Sequence, residues 1–222
     1  MSTVHVQPTS LGRATVNKTV ALDDAKWVQL NKLEWTDQDG KERAWEVASR
    51  KTTSKGGIDA VAIAALLKHP SKPLSVPIIL QFRPPAKSIC VELPAGLIDE
   101  DESPEQAAVR ELYEETGYGG HEFKDRVKVK LVGGTTPSDP VEPEPRGMTT
   151  ANMKLVTLEV ELREGEEEPK PHLDEGEHIE VRVTPVAELY AHLEAYEKLG
   201  YQVDARLHHW AAGIKIAQEM LS

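Results

Sequence analysis

The chain has 222 residues, 37 acidic side chains against 26 basic ones, a formal charge of −11 at pH 7 and an isoelectric point near 5.2. That length can build one substantial core or one domain plus a small appendage, and the charge argues against wrapping nucleic acid or adhering to anionic membranes. The single cysteine, Cys90, excludes an intramolecular disulfide and fits a reducing compartment; the longest apolar stretch, Val61 to Leu67, is far too short to span a bilayer, so a cytoplasmic protein is expected, with the nucleus also open.

In chain order, residues 27–35 and 41–50 flank Asp37-Gln38-Asp39-Gly40, a pattern that predicts a hairpin with a glycine-containing turn. Residues 1–57 are therefore read as an N-terminal β region and 58–222 as the main domain. Further strands are expected at 59–66, 76–83, 88–93, 126–133, 153–162 and 178–184, where β-branched residues and partial alternation coincide. Helices are expected at 104–116, 185–198 and 203–220, the last with Leu207, Trp210, Ala211, Ile214 and Ala217 on one stripe. Pro137 to Pro145 and Glu164 to Pro171 read as loops rich in proline and acid, while Cys90, Trp35 and Trp210 read as packing residues. A mixed sheet covered by helices on both faces is the natural packing of these elements.

The helix at 104–116 carries the chain's most unusual chemistry. Ser103-Pro104-Glu105-Gln106 supplies an N-cap serine, a proline at the first helical position and a capping-box glutamine, and Gly117 should end the helix. Glu111, Glu114 and Glu115 crowd its last turns on one face, at the negative end of the helix dipole, and only Glu114 has an obvious local partner, Arg110. Glu111 and Glu115 form an i,i+4 like-charge pair that costs roughly 0.2–0.5 kcal/mol. A solvated charged face is the bland explanation, but a surface helix built for stability places its acids in the first turn and its bases in the last. A hard divalent cation, Mg2+ or Mn2+, would convert the repulsion into binding, because carboxylate oxygens are its preferred protein ligands.

Gly96, Glu102, Arg110, Glu111, Glu114, Glu115 and Gly117 together resemble the Nudix box, with Tyr118 in place of its final aliphatic residue. The resemblance implies an α/β/α sandwich with a mixed β-sheet, and an enzyme that hydrolyses a nucleoside diphosphate linked to another group with the help of divalent cations. It also implies Glu111 and Glu115 as the principal metal ligands, the backbone carbonyl of Ala95 as a third, Glu102 and Glu114 as weaker candidates, and Arg110 as the residue that orients the glutamates. An EF-hand reading of Asp99, Asp101 and Glu102 fails, because the acids do not follow that loop's spacing and its central glycine is absent.

Outside the box, Gln81-Phe82-Arg83-Pro84-Pro85, Glu92-Leu93-Pro94-Ala95-Gly96, Gly176-Glu177-His178-Ile179-Glu180-Val181 and Val203-Asp204-Ala205-Arg206 resemble the ADP-ribose and ADP-sugar pyrophosphatase branch of the family. By that resemblance Arg83 and, more weakly, Arg50 contact phosphate, Leu97 and Asp139 contact substrate, and Glu177 is a base or an additional metal ligand. In this branch the N-terminal β region crosses to the other subunit of a homodimer. Trp27, Trp45 and Glu46 then become candidates to hold adenine, the tryptophans by stacking. Thr135 to Ala151 resembles a loop that closes over the terminal ribose, with residues 141–146 looking like an insertion. The expected reaction is cleavage of ADP-ribose to AMP and ribose 5-phosphate by a domain-swapped homodimer that binds neither nucleic acid nor membrane. The alternatives are the same chemistry on other ADP-sugars or oxidised nucleoside diphosphates, a non-hydrolytic ADP-ribose sensor, and a purely structural acidic domain.

Overall fold

The computed structural model describes residues 4–9, 11, 17, 24–51, 56–123, 125–137 and 148–221. The expected hairpin is present as β1 (Val28–Thr36) and β2 (Glu42–Arg50), an isolated antiparallel pair whose turn is closed by Asp37 and by Gly40 at φ 77°. The main sheet is built from β3 (Ala60–Lys68), β4 (Ser75–Arg83), β5 (Ser88–Glu92), β6 (Ala95–Leu97), β7 (Val127–Pro137), β8 (Asn152–Glu161), β9 (Ile179–Pro185) and β10 (Gln202–Val203). Its helices are α1 (Pro104–Thr116), α2 (Leu189–Lys198) and α3 (Ala205–Leu221).

The sheet is mixed. β3 pairs in parallel with β8 and β10 in parallel with β5; the other pairings are antiparallel. The path runs β10-β5-β4-β3-β8-β7, with β6 added to β3 and β9 to β4. β3 and β4 meet only at Leu67 and Ser75, so two half-sheets splay apart from that corner, and the candidate site lies toward their open end. Alternation along β3 sends Val61, Ile63, Ala65 and Leu67 to one face, where they pack with Leu112, Ala107 and Ala108 of α1. On the other face Val76, Ile78 and Leu80 of β4 pack under Leu189 and Leu193 of α2 and Leu207 and Ala211 of α3. This is the expected sandwich, with helices on both faces.

Several boundaries moved. β6 and β10 were not expected from sequence, because runs of three and two residues carry no readable periodicity and exist only where a partner strand is already in place. β7 runs past the expected end at 133 to Pro137, with register shifts after Val129 and Val132 that absorb Gly133-Gly134. The first part of the anticipated ribose loop is thus strand. The helix expected from 185 opens as a 3-10 turn, Val186–Glu188, behind Pro185. On α3 the stripe is buried at Leu207 and Ala211 and half-buried at Trp210 and Ile214, but Ala217 is exposed because the helix outruns the sheet beneath it. Cys90 is buried, as read. No helix among the described residues is long and apolar enough to cross a membrane.

α1 is set at both ends by its own sequence. Ser103 accepts the Gln106 N–H while the Gln106 side chain accepts the Ser103 N–H, completing the capping box, and Gly117 ends the helix at φ 81° with its N–H donating to Tyr113 O. A Cβ at Gly117 would lie 2.5 Å from the Lys170 carbonyl oxygen. Gly117→Ala therefore combines a left-handed backbone with a collision against main chain, and chemical denaturation should register a loss of about 1–3 kcal/mol.

Candidate active site

The short strand β6 lays Ala95-Gly96-Leu97 against β3 and turns the chain toward α1. The Ala95 N–H donates to Glu115 Oε2 at 2.9 Å, which ties the loop to the helix face. Glu115 is only 5% exposed. Burial pushes its carboxyl up to about 8, and the charges of Glu111 and Glu177 push in the same direction against the Ala95 hydrogen bond. The Glu111 carboxyl is also raised, chiefly by burial, with Arg110 opposing.

Arg110 is more heavily engaged than the sequence indicated. Its guanidinium donates to Glu102 through Nε and Nη2, to Glu111 and Glu114 through Nη1, and to the Leu97 carbonyl through Nη2, at 2.8–3.0 Å. Glu114 is therefore one of three carboxylates that Arg110 holds, and Glu111 is held directly. Glu102 is kept below the usual carboxylate range chiefly by its bond to Arg110.

Gly96 shapes the cradle in which the Glu111 carboxylate sits. A Cβ there would lie 1.9–2.2 Å from the carboxylate atoms of Glu111, so only glycine lets that group lie against the loop. The donor set is hard oxygen throughout, with Glu115 buried and Glu111 half-buried, both raised above their ordinary range; carboxylate oxygens of this kind fit a divalent cation. Among the described residues no three acids close into a ready ligand group, in keeping with their mutual repulsion.

Arg83, at the end of β4, makes a bidentate pair with Glu92 of β5 at 2.9 and 2.6 Å, and Glu115 is close enough to act on it electrostatically. Beside it lies a second such pair, Arg206 with Asp204, at 2.9 and 2.6 Å, and Arg206 Nη1 stands against the Met153 sulfur. The register Gln202↔Cys90 and Val203↔Val91 brings Asp204 next to Glu92. Reading the sequence assigned no role to Glu92, Asp204 or Arg206. The only signal was their presence in segments resembling the pyrophosphatase branch, since nothing local says that the Asp204–Arg206 pair stands beside the Arg83–Glu92 pair. Glu177 sits in an exposed loop, its carboxylate accepting the Asp174 N–H and its own N–H donating to Asp174 O, with Glu111 and Glu115 within electrostatic reach.

The model of the NUDIX domain matches residues 59–207. The chain belongs to the Nudix family. Among curated relatives, an uncharacterised Nudix hydrolase of Schizosaccharomyces pombe is 40% identical over 90% of this chain and 91% of its own length. The ADP-ribose pyrophosphatase of Saccharomyces cerevisiae is 36% identical over 99% of this chain and 90% of its own. The ADP-sugar pyrophosphatase of Mus musculus is 33% identical over 98% and 94%. A crystal structure of an ADP compounds hydrolase aligns over 98% of both chains with a TM-score of 0.51 at 18% identity, a likeness of fold.

In this Nudix hydrolase the remaining candidate residues lie on the hairpin. Ala48 of β2 exchanges hydrogen bonds with Met148 O and the Thr150 N–H, tying the hairpin to the main body. Apart from the buried Val47, its large apolar side chains are exposed, Leu30 at 84% and Leu33, Trp35 and Trp45 partly, as is the preceding Trp27 at 59%. Trp35, read as a packing residue, thus has little to pack against within one chain. The Trp27 carbonyl accepts the Lys51 N–H, whereas Trp45 stands opposite Leu33. Trp45 and Lys51 are six positions apart along the extended chain, about 20 Å, so the backbone points that carry the two indoles of one chain stand well apart. Arg50 has its Nε buried without a partner, and Glu46 is exposed. Asp139 and residues 141–146 lie outside the described residues.

A groove of about 640 Å³ runs along the outer side of α1, past Val109, Tyr113, Gly120, Val127 and Val129. It is mostly apolar and lies on the helix face turned away from Glu111 and Glu115. Glu111 and Glu115, with Arg110 and Arg83, lie on the other side of the helix.

Proposed function

We propose that this Nudix hydrolase cleaves ADP-ribose to AMP and ribose 5-phosphate using Mg2+ or Mn2+. The observation that carries the reading is the buried Glu115 beside Glu111 in the Gly96 cradle, with Glu177 and Arg83 within electrostatic reach of Glu115. Family relatives named for ADP-ribose and ADP-sugar pyrophosphatase activity support the substrate class.

Glu111, Glu115 and the Ala95 carbonyl would hold the cation, which supplies charge neutralisation of the diphosphate and polarisation of the attacked phosphoryl group. Arg110 keeps Glu111 in its cradle through the Nη1 bond. Arg83, with two of its donors on Glu92, has others left for a phosphate oxygen. Glu177 takes the proton of the attacking water. As the water oxygen bonds to phosphorus, the bridging P–O bond breaks and the second phosphate departs. The low exposure of Glu115 limits competing water at the metal side of the site.

Residues 1–57 serve in this reading as the dimerisation and adenine-binding region and 58–222 as the hydrolase domain. The exposed apolar hairpin is covered by a second copy, which lets Trp27 of one chain and Trp45 of the partner subunit flank one adenine, with Glu46 on its edge and Arg50 near the phosphates. Leu97 and Asp139 contact the sugar side. The protein acts in the cytoplasm, with neither nucleic acid nor membrane as partner. Trp45→Ala should raise KM for ADP-ribose by about tenfold or more, as loss of one base-stacking surface requires, with a smaller change in kcat; steady-state kinetics checks this.

The deciding experiment is incubation with ADP-ribose and Mg2+ in ¹⁸O-labelled water, with the products separated. AMP and ribose 5-phosphate are expected, one of them labelled at the phosphorus attacked. Absence of hydrolysis removes the reading, and a much higher kcat/KM for another ADP-sugar or an oxidised nucleoside diphosphate replaces its substrate. A non-hydrolytic sensor is disfavoured because every carboxylate of the box is in place.

A further inference from the structure

We propose that His172, stacked on Tyr113, is a positioning residue that holds the loop carrying Glu177 over the metal-binding carboxylates; this rests on the role given to Glu177 above. The segment before that loop is strapped to the end of α1. Gly117 packs under it so closely that a Cβ would meet the Lys170 carbonyl oxygen at 2.5 Å and Pro169 Cβ at 2.8 Å. Two residues on, the His172 N–H donates to the Glu114 carbonyl at 2.7 Å, satisfying one of the carbonyls left free at the helix C-terminus. The His172 ring then lies on the Tyr113 ring, with centroids 4.3 Å apart and planes inclined by 26°.

Beyond this clamp residues 173–178 lead to β9, which begins at Ile179, paired with Gln81 of β4. Residues 173–178 therefore span between two fixed points, one on the metal-binding helix and one on the strand that ends at Arg83. The loop is shaped internally by Gly176 at φ 89° and by the two bonds between Asp174 and Glu177. Glu177 acts electrostatically on both Glu111 and Glu115 from this position. Glu114 and Tyr113 thus have a task besides box chemistry and core packing. They anchor the loop by which the distant glutamate reaches the site, one through its carbonyl and the other through its ring. Loss of the ring contact lets the loop rotate about the remaining backbone bond, which lowers the fraction of molecules with Glu177 in place while leaving the substrate contacts intact.

The test is a comparison of His172→Ala and His172→Phe with the full-length enzyme, alone and combined with Glu177→Gln. His172→Ala should lower kcat for ADP-ribose about five- to tenfold with KM unchanged, whereas His172→Phe, which keeps an aromatic face for Tyr113, should restore it. In the Glu177→Gln background His172→Ala should cost nothing further, because both changes act through one carboxylate. Hydrogen exchange on the metal-free protein should be faster over residues 173–178 in His172→Ala, with the amides of α1 unchanged. Wild-type kcat in His172→Ala, or an equal further loss in the Glu177→Gln background, overturns the clamp alone. Full activity in Glu177→Gln itself overturns the role of Glu177, and the clamp with it.

Discussion

Glu115→Gln is expected to lower kcat by about a thousandfold while the protein stays folded, the scale reached when one preorganised source of electrostatic stabilisation, here the hold on the cation, is lost. Glu115 combines the deepest burial of the box acids with a hydrogen bond from the loop that closes the site. Its carboxyl titrates near 8 in the folded chain against 4.5 for an ordinary glutamate. Between those values the folded state binds the extra proton, so without metal the wild type loses stability as pH rises from about 4.5 to 8, by an amount on the order of a few kcal/mol. Glutamine carries no titrating proton. The metal-free variant should therefore match or exceed the wild type in Tm at pH 9, and its Tm should vary less with pH across that window. Mg2+ should raise the Tm of the wild type and raise that of Glu115→Gln less. Calorimetry and activity assays on the same preparations check both parts, and an unchanged hydrolysis rate in the variant removes Glu115 from the metal-binding set.

Gly96→Ala should be nearly as damaging to activity, for a purely steric reason. The added methyl group would occupy the space of the Glu111 carboxylate, at 1.9 Å from its carbon. That carboxylate ends a flexible side chain, so the fold survives by swinging it away and Tm should change little. The same swing takes Glu111 out of its cradle and off Arg110, and kcat should fall by about a hundredfold or more, with a raised Mg2+ requirement. A metal titration of the activity separates this from a folding defect. Normal kcat and normal Mg2+ dependence in Gly96→Ala would mean that the cradle has no functional part.

Much of the fold could be read before any coordinate. The hairpin turn at Asp37 to Gly40, the caps of α1 at Ser103 and Gly117, and the strands β3, β4, β5, β7, β8 and β9 are local patterns, written in side-chain alternation, turn residues and capping groups. β6 and β10 were illegible because two or three residues cannot show a period, and the exposure of Ala217 at the end of its stripe was not visible because periodicity does not say where a covering sheet ends. Within the site, the acidic face of α1 was plain from spacing. The unequal fates of its glutamates were not: Glu114 and Glu111 are held by Arg110, whereas Glu115 is sunk against Ala95.

By itself, then, the sequence determined which residue types stand at which intervals, and that was enough for the loop-helix-loop of the Nudix box and the acids it presents, since capping, helical period and glycine turns act within a few residues. Only the tertiary structure decided which acid is buried, that Gly96 leaves room for Glu111, that Arg83 shares its donors with Glu92, that Asp204 and Arg206 stand beside that pair, and that Glu177 comes within reach of the helix. These depend on strands, helix and loops, several of them far apart in the chain, meeting at the open end of the splayed sheet, and the energies involved, desolvation and charge repulsion at short range, exist only once that packing has excluded water.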